Sequence, residues 1–480
     1  MPLSTPDDSM LQVGFLPVIG PAPAPVDVPP VAERIAVGFA GEGSGVAELS
    51  WGMWEIWQAM ESQNTSLPIG GRAPLPEAAT VADVAEELGY LLTRFPSMRT
   101  RLRFDDTGRP CQELFAAGTI VLEVYDAEDG EDGADADPDG VARAIEDLYR
   151  RTPFDYTGAW PVRMAVVRRH GRPTHQITIM NHLVTDAFGA LAMLRDVRSR
   201  DTAPTTRLEP LDQARWQQSP AGRRQNDRVL RHWEGLLRAV PARRLPDSTD
   251  PRTPRHWSAD VRSPALCAAV PVIAARTGAD RSAVLLTLFA VALNRITAVN
   301  PVVVRPVVHN RFRPGLADVV CMAAQAGICS IDVEDVTVDE AVERTRRASM
   351  SAYKYGYFHP GDTRDLVMRL SEERGEEFDV ACFFNDRSSA LHFPDGAVSL
   401  TPDELDQALR KARGETTFAW SAQRDEPIER LFFNIVDLPD AARFEIHADT
   451  HYLSPSDIEA LARGLEEVAV TAALDRATRT

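Results

Sequence analysis

Hydrophobic residues along the chain recur at spacings that switch between two residues and three to four residues, which indicates alternating strands and helices. Val81, Val84, Leu88 and Leu91, for example, fall on one face of a helix. The pattern predicts helices over residues 48–57, 81–95, 141–151, 187–197, 226–240, 280–294 and 456–473, and strands over 34–39, 162–167, 176–179, 302–304, 378–386, 432–436 and 444–449. Because strands and helices alternate in both halves, we predict an α+β fold of two stacked lobes.

Two stretches without hydrophobic periodicity set the predicted domain boundaries. Residues 1–30 contain eight prolines, so we predict a disordered, proline-rich leader. Residues 201–224 are rich in Pro, Thr, Gln and Arg, so we place a crossover linker there. These boundaries give an N-terminal lobe over residues 31–200 and a C-terminal lobe over residues 225–480.

The composition is that of an ordinary soluble globular protein, with 44% hydrophobic and 25% charged residues. A net charge of −18 argues against a nucleic-acid partner, because phosphate binding needs a basic surface. The longest apolar run, over residues 283–293, is too short to span a bilayer, so we expect no membrane segment and a cytoplasmic protein. Five cysteines without paired spacing predict reduced thiols, and ten histidines without an HExxH spacing predict no metal site.

The segment over residues 174–189 carries the candidate chemistry. The strand over 162–167 alternates as a half-buried strand would, and a second strand follows it before a helix begins at Ala187. His182 and Asp186 lie in the tight corner between that second strand and the helix. A rigid strand end can position a general base. A histidine there is nevertheless more often structural, and an aspartate before a helix is more often an N-cap. Spacing alone leaves both interpretations open.

The sequence Asn181-His182-x-x-x-Asp186-Ala187 resembles the HHxxxDG signature of nonribosomal peptide synthetase condensation domains, which belong to the chloramphenicol-acetyltransferase-like acyltransferases. The second histidine and the aspartate match the signature. Asn181 replaces the first histidine, and Ala187 replaces the glycine. The resemblance implies that His182 is the catalytic residue and that Asn181 and Ala187 occupy the catalytic positions beside it.

A second similarity begins at Arg94. Arg94, Arg99 and Thr100 match the family's RHExLRTxF motif, with Phe95-Pro96 in place of His-Glu. The family pattern implies that Arg94 and Arg99 brace the catalytic corner. Arginines at a helix end often only complement the helix dipole, so this second interpretation stays open.

A third similarity lies in the second half of the chain. His309-Asn310-Arg311 resembles the family segment in which an arginine reaches across from the second lobe to the signature aspartate. The resemblance therefore implies a buried Asp186–Arg311 ion pair that pins the interface between the lobes. Residues 320–333 are loosely similar to the family's GxFVNT-type strand, without its Asn-Thr.

The resemblance implies two chloramphenicol-acetyltransferase-like lobes, each a two-layer sandwich, that form a V-shaped pseudo-dimer. It implies a free-standing condensation enzyme that transfers an acyl group from a carrier-protein thioester to an amine or hydroxyl, forming an amide or ester in nonribosomal peptide biosynthesis. Both substrates would arrive on phosphopantetheine arms of acyl or peptidyl carrier proteins, in a cleft between the lobes. We expect no bound cofactor and a monomer. Carrier proteins are generally acidic, so docking one on this acidic chain requires a local basic patch.

Three other functions remain open from the sequence. A stand-alone acyltransferase that uses acyl-coenzyme A would share the signature, although the plant-type DFGWG motif is absent. The cyclising relatives carry aspartate in place of the signature histidine, so His182 disfavours them. A catalytically silent recruitment domain is the non-enzymatic alternative: Asn181 and Ala187 favour it, whereas the retained His182 and Asp186 oppose it.

Overall fold

The structure is a computed structural model that describes residues 28–128, 137–203, 207–387, 401–426, 429–438 and 440–480. The predicted leader over residues 1–30 lies almost wholly outside the described residues. The chain divides into two compact units. The first comprises Met1–Ser219 and Arg311–Ala323, and the second comprises Pro220–Asn310 and Ala324–Thr480.

The first unit contains the candidate corner. Its described strands are β1 (Val31–Ala40), β2 (Gly45–Glu48), β3 (Ile69–Pro74), β4 (Thr100–Phe104), β5 (Pro110–Leu114), β6 (Ala117–Ala127), β7 (Val162–Arg169) and β8 (Arg172–Met180). Its described helices are α1 (Trp51–Gln63), α2 (Val81–Arg94), α3 (Pro138–Arg151), α4 (Ala187–Ser199) and α5 (Pro210–Gln218), with a 3-10 turn over Pro96–Arg99.

The strands form a sheet with the order β1-β6-β7-β8-β3 and a smaller sheet with the order β2-β5-β4. Helices cover both faces of the larger sheet. Met164 and Val166 of β7 belong to the hydrophobic cluster that includes α2, whereas Ala165 and Val167 belong to the cluster that includes α3. The expectation that this strand is buried on one face only was therefore wrong, because alternate side chains meet a helix on each side.

The second unit is built on a larger sheet. Its described strands are β9 (His256–Ser263), β10 (Val302–Val308), β11 (Gln325–Ala326), β12 (Cys329–Ile331), β13 (Cys382–Asp386), β14 (Thr417–Arg424), β15 (Leu431–Leu438) and β16 (Ala441–Asp449). Its described helices are α6 (Pro220–Ala239), α7 (Pro264–Thr277), α8 (Arg281–Thr297), α9 (Val338–Lys354), α10 (Pro360–Arg374), α11 (Pro402–Arg413) and α12 (Pro455–Leu474). The strand order is β11-β10-β13-β15-β16-β9-β14, and β12 also pairs with β10.

Both faces of β10 pack against helices. Val302 and Val304 lie in the cluster that contains α8, whereas Val303 lies with α6 and α10. Every residue of α8 from Ala283 to Leu293 is buried, as expected for a helix that is hydrophobic on all sides. None of the described helices combines the length and the apolarity needed to cross a membrane.

Two segments differ in local structure from what the sequence pattern indicates. The predicted crossover over residues 201–224 contains α5 and the start of α6, which polar helix surfaces concealed from the periodicity argument. The segment over 320–333 is not one strand: residues 320–323 belong to the first unit, and the remainder forms the short strands β11 and β12. The division between Ser219 and Pro220 falls inside the predicted crossover, while the lobe boundaries themselves stay a prediction.

Candidate active site

The corner between β8 and α4 is held by backbone and amide hydrogen bonds. The backbone N–H of Asn181 donates to the Pro161 carbonyl at 3.0 Å. The Asn181 side-chain oxygen accepts from the backbone N–H of Leu183 at 3.1 Å, which is the turn-forming use of a short amide side chain. Asn181 is only 3% exposed. It therefore shapes the loop, and it cannot titrate.

His182 lies half-buried in this loop. Its Nδ1 is 3.1 Å from the backbone carbonyl oxygen of Thr185. A carbonyl oxygen only accepts hydrogen bonds, so this contact requires the proton on Nδ1. In the neutral ring, Nε2 then carries the lone pair. The geometry therefore presents Nε2 as the basic nitrogen, which is what a general base needs.

Asp186 is the N-cap of α4 and is almost fully buried. Its Oδ1 accepts from the backbone N–H of Gly189 at 2.8 Å and from Arg311 Nη2 at 2.6 Å. Its Oδ2 accepts from the backbone N–H of Ala323 at 2.9 Å. These hydrogen bonds satisfy both carboxylate oxygens and fix the start of the helix. Asp186 is thus suited to holding the corner.

Arg311 is equally buried and also donates to the Cys321 carbonyl at 3.0 Å. Burial by itself lowers the pKa of a guanidinium, but the charge of Asp186 and the contacts with Cys321 outweigh it and raise the pKa of Arg311. The sequence placed Arg311 in the second lobe. Its packing assigns it to the first unit, together with Asp186. The chain leaves the second unit after Asn310 and re-enters it at Ala324, so this ion pair lies within one unit.

Gly189 is a site residue that the sequence argument missed. A Cβ atom at Gly189 would lie 2.3 Å from the Thr185 Oγ1 and 2.8 Å from the Arg311 Nη2. Any larger residue would therefore push against both the loop and the ion pair. A glycine in the first turn of a predicted helix was the available signal, because such a glycine lowers helix stability unless close packing requires it.

Arg94 and Arg99 contact residues outside the corner that holds His182 and Asp186. Arg94 binds Asp196 at 3.2 Å and Asp201 at 2.9 Å, which ties the end of α2 to the last turns of α4. Arg99 donates to the backbone carbonyls of Glu42, Gly43 and Phe115. Arg94 therefore anchors the helix that follows the corner, whereas Arg99 fastens the loop between β1 and β2. The Thr100 hydroxyl donates to the Pro96 carbonyl at 2.8 Å, within its own turn.

A small cavity adjoins the corner inside the first unit. It offers about 20 Å³ to the centres of water molecules, which is room for roughly one ordered water. Two buried polar atoms, Ser97 Oγ and Gln112 Oε1, have no hydrogen-bond partner among the described residues. Asn181, Leu183 and Val184 complete one wall. The polar atoms of this cavity are suited to a bound water, and the predicted cleft for the two substrate arms stays a prediction. The described residues contain no cluster of metal-ligating side chains.

Comparison with known proteins identifies the family. The Condensation domain family model matches residues 70–419. Cyclosporin synthetase simA of Tolypocladium inflatum is 26% identical over 292 residues, which cover 57% of this chain and 2% of that protein. Phosphinothricin tripeptide synthetase PhsC of Streptomyces viridochromogenes is 26% identical over 309 residues, which cover 61% of this chain and 28% of that protein. The chain thus spans only a small part of these relatives.

Solved structures agree on the fold. The condensation domain that mediates chain release from the enacyloxin polyketide synthase matches this chain with a TM-score of 0.67 and 19% identity. The match covers 92% of this chain and 85% of that one. SgcC5 of Streptomyces globisporus matches with a TM-score of 0.64 and 17% identity, covering 90% of this chain and 100% of that one. The X-domain from teicoplanin biosynthesis matches with a TM-score of 0.66 and 17% identity, covering 92% and 98%. These matches confirm the predicted α+β fold with two sheet-containing lobes. The chain therefore belongs to the condensation domain family, whose members serve acyl transfer in nonribosomal peptide and polyketide-type biosynthesis.

Proposed function

We propose that this protein transfers an acyl group from a carrier-protein thioester to an amine or hydroxyl acceptor, with His182 as the catalytic residue. The observation that carries the proposal is the hydrogen bond of His182 Nδ1 to the Thr185 carbonyl oxygen at 3.1 Å. Because Nδ1 donates in this bond, Nε2 is the basic nitrogen of the neutral ring. The buried Asp186 network holds the loop that carries this ring.

The proposed reaction forms one bond and breaks one. The acceptor nitrogen or oxygen attacks the thioester carbonyl carbon, and its proton passes to His182 Nε2. The tetrahedral intermediate then collapses with cleavage of the carbon–sulfur bond, and the proton leaves with the phosphopantetheine thiol. The N-terminal end of α4, where Ala187 retains its backbone N–H, favours the developing oxyanion through the helix dipole.

The acceptor determines how much His182 must do. An α-amino group has a pKa of about 7.7–8.0, so an appreciable fraction is neutral near physiological pH. For an amine, His182 needs only to orient the nucleophile and take the proton as positive charge develops. A hydroxyl depends far more on the base, because almost none of it is deprotonated. An alcohol acceptor should therefore lose more activity when His182 is removed.

The test is intact-protein mass spectrometry on carrier proteins loaded with a panel of acyl donors and acceptors, with acyl-coenzyme A as an additional donor. We expect His182→Ala to lose about 10²–10⁴-fold of the turnover, while its melting temperature stays near that of the wild type. His175→Ala is the matched control, because His175 lies on β8, the same strand that leads into the corner. Equal turnover of His182→Ala and wild type would contradict the catalytic role.

A catalytically silent recruitment domain is the second candidate. The observation that favours it is Asn181, whose buried amide holds the loop where the family signature has a histidine. A silent domain would bind a carrier protein but move no acyl mass across the panel. Its carrier binding would also survive His182→Ala unchanged. Turnover that depends on His182 excludes this candidate.

A further inference from the structure

Helix α6 is anchored to the second unit by one face only. Val229, Trp233 and Leu237 are 0–2% exposed and lie in one hydrophobic cluster with α10 and Val303 of β10. The Trp233 ring packs edge-on against Phe358, with centroids 5.5 Å apart. These contacts fix the rotation of the helix about its axis, so the residues on its other side form a rigid surface.

That other side is strongly basic. The arginine face, as we call it, consists of Arg224, Arg228, Arg231, Gly235 and Arg238, and each of these residues is exposed. They follow one another at intervals of four, three, four and three residues, which places them on one stripe of the helix. Arg238 binds Glu234 and Glu373, each at 2.8 Å. Arg224, Arg228 and Arg231 form no ion pair with any of the described residues.

Such a surface is unexpected on a chain whose net charge is −18. A solvated helix face in an acidic protein would ordinarily mix both signs or carry the majority charge. Here three arginines of the stripe have no ion-pair partner among the described residues, and with the exposed Asp227 beside them the stripe still keeps a net positive charge. Local positive potential on an acidic protein attracts an acidic partner to one place and repels it elsewhere.

Gly235 adds an independent observation. It lies within α6, and no atom lies within 4 Å of the position that its Cβ would occupy. A glycine in a helix interior costs about 1 kcal/mol relative to alanine, and no packing within the described chain requires it. Between Arg231 and Arg238 on an exposed face, a missing side chain lets the backbone of another helix approach closely.

We propose that the arginine face is the docking site for an acidic helix of a carrier protein. The inference rests on the proposed function, because that function supplies the class of partner. Charge complementarity selects the occupant: carboxylates on a partner helix would pair with Arg224, Arg228 and Arg231, while Gly235, one turn further along α6, leaves room for the backbone of that helix. An anionic membrane is not favoured, since the apolar face of α6 is already buried.

The test separates docking from chemistry by using two forms of one substrate. The first is an acyl group loaded on a purified acyl or peptidyl carrier protein. The second is the same acyl group as an N-acetylcysteamine thioester, which has no carrier. We expect the triple charge reversal Arg224→Glu, Arg228→Glu and Arg231→Glu to lower kcat/KM for the carrier-bound substrate at least about tenfold at low ionic strength. Turnover of the carrier-free thioester should be unchanged.

Two controls accompany this variant. Arg103→Glu, Arg172→Glu and Arg476→Glu together change the net charge by the same amount at exposed positions on three other elements or loops, and should retain carrier turnover. Two matched variants test Gly235. Gly235→Ala should keep carrier docking, whereas Gly235→Trp should block docking without changing the turnover of the carrier-free thioester.

The outcomes are distinguishable. Equal loss in both triple variants, or no loss in either, overturns the proposed docking site while leaving the acyl transfer intact. Absence of wild-type turnover with both substrate forms contradicts the proposed function, and calorimetric titration of the same carrier protein then decides the docking question alone: binding that the α6 reversal abolishes supports it, and no binding refutes it. Binding of a 20-nucleotide single-stranded DNA that depends on the arginine face would assign that face to nucleic acid instead.

Discussion

Removal of the Arg311 guanidinium should reveal how much the buried corner contributes to stability. In the wild-type structure the Asp186 side chain is only 5% exposed, so Arg311→Ala removes the charged partner from a buried carboxylate. Removing one partner of a buried ion pair typically costs about 3–5 kcal/mol, because the remaining charge stays desolvated. The backbone N–H groups of Gly189 and Ala323 continue to bind Asp186 at 2.8 and 2.9 Å. Because these donors still stabilise the charge, we expect a loss near the lower end, about 3 kcal/mol.

The chain provides a matched control for this substitution. Arg195 of α4 binds Asp318 at 2.7 Å, so this pair links the same two segments as Asp186 and Arg311. Its side chains are 60% and 52% exposed, and exposed pairs contribute only about 0.2–1 kcal/mol. Urea unfolding compares Arg311→Ala with Arg195→Ala, and hydrogen exchange over residues 311–323 reports the local effect. A loss in Arg311→Ala no larger than that in Arg195→Ala would refute the reasoning.

Two further predictions concern glycine packing and pH. Gly189→Ala should lower stability by about 1–3 kcal/mol, because the added methyl would meet Thr185 and Arg311. Gly235→Ala should raise stability by about 0.5–1 kcal/mol, because its methyl meets no atom and alanine favours the helix. Thermal unfolding measures both changes, and shifts of the same sign would contradict the packing argument. Burial raises the pKa of Glu209 to about 7 from an ordinary 4.5, against the opposing charge of Arg207. Because the folded state then binds this proton more tightly than the unfolded state, the free energy of unfolding is highest below pH 4.5 and falls as the pH rises to 7. The total decrease is at most about 3 kcal/mol. Glu209→Gln should therefore flatten the unfolding free energy between pH 4.5 and 7, and parallel pH profiles for both proteins would exclude this origin.

Local sequence was sufficient for most elements in the chain. The helix predicted over residues 280–294 is observed as α8, and at its start the carboxylate of Asp280 accepts from the backbone N–H of Ala283 at 2.8 Å. The helix that follows His182 was predicted over 187–197 and is observed as α4, Ala187–Ser199, whereas the strand before it was predicted over 176–179 and is longer, Arg172–Met180. Helix α5 was missed, because its polar residues show little periodicity and its place depends on contacts such as Trp51 N–H to Gln217 at 3.1 Å.

Some features of the candidate site also followed from the sequence, and others followed only from the tertiary structure. The sequence by itself placed His182 and Asp186 in one corner, because hydrophobic spacing and capping depend on neighbours a few residues apart. The family resemblance supplied Arg311, 125 residues away, as the partner of Asp186. Only the tertiary structure showed that the backbone N–H of Ala323, 137 residues away, joins the pair, that Gly189 must lack a side chain, and that all of them belong to one unit. Partners of a buried charge are selected by whichever distant segments pack around it, and a local pattern carries no record of that packing.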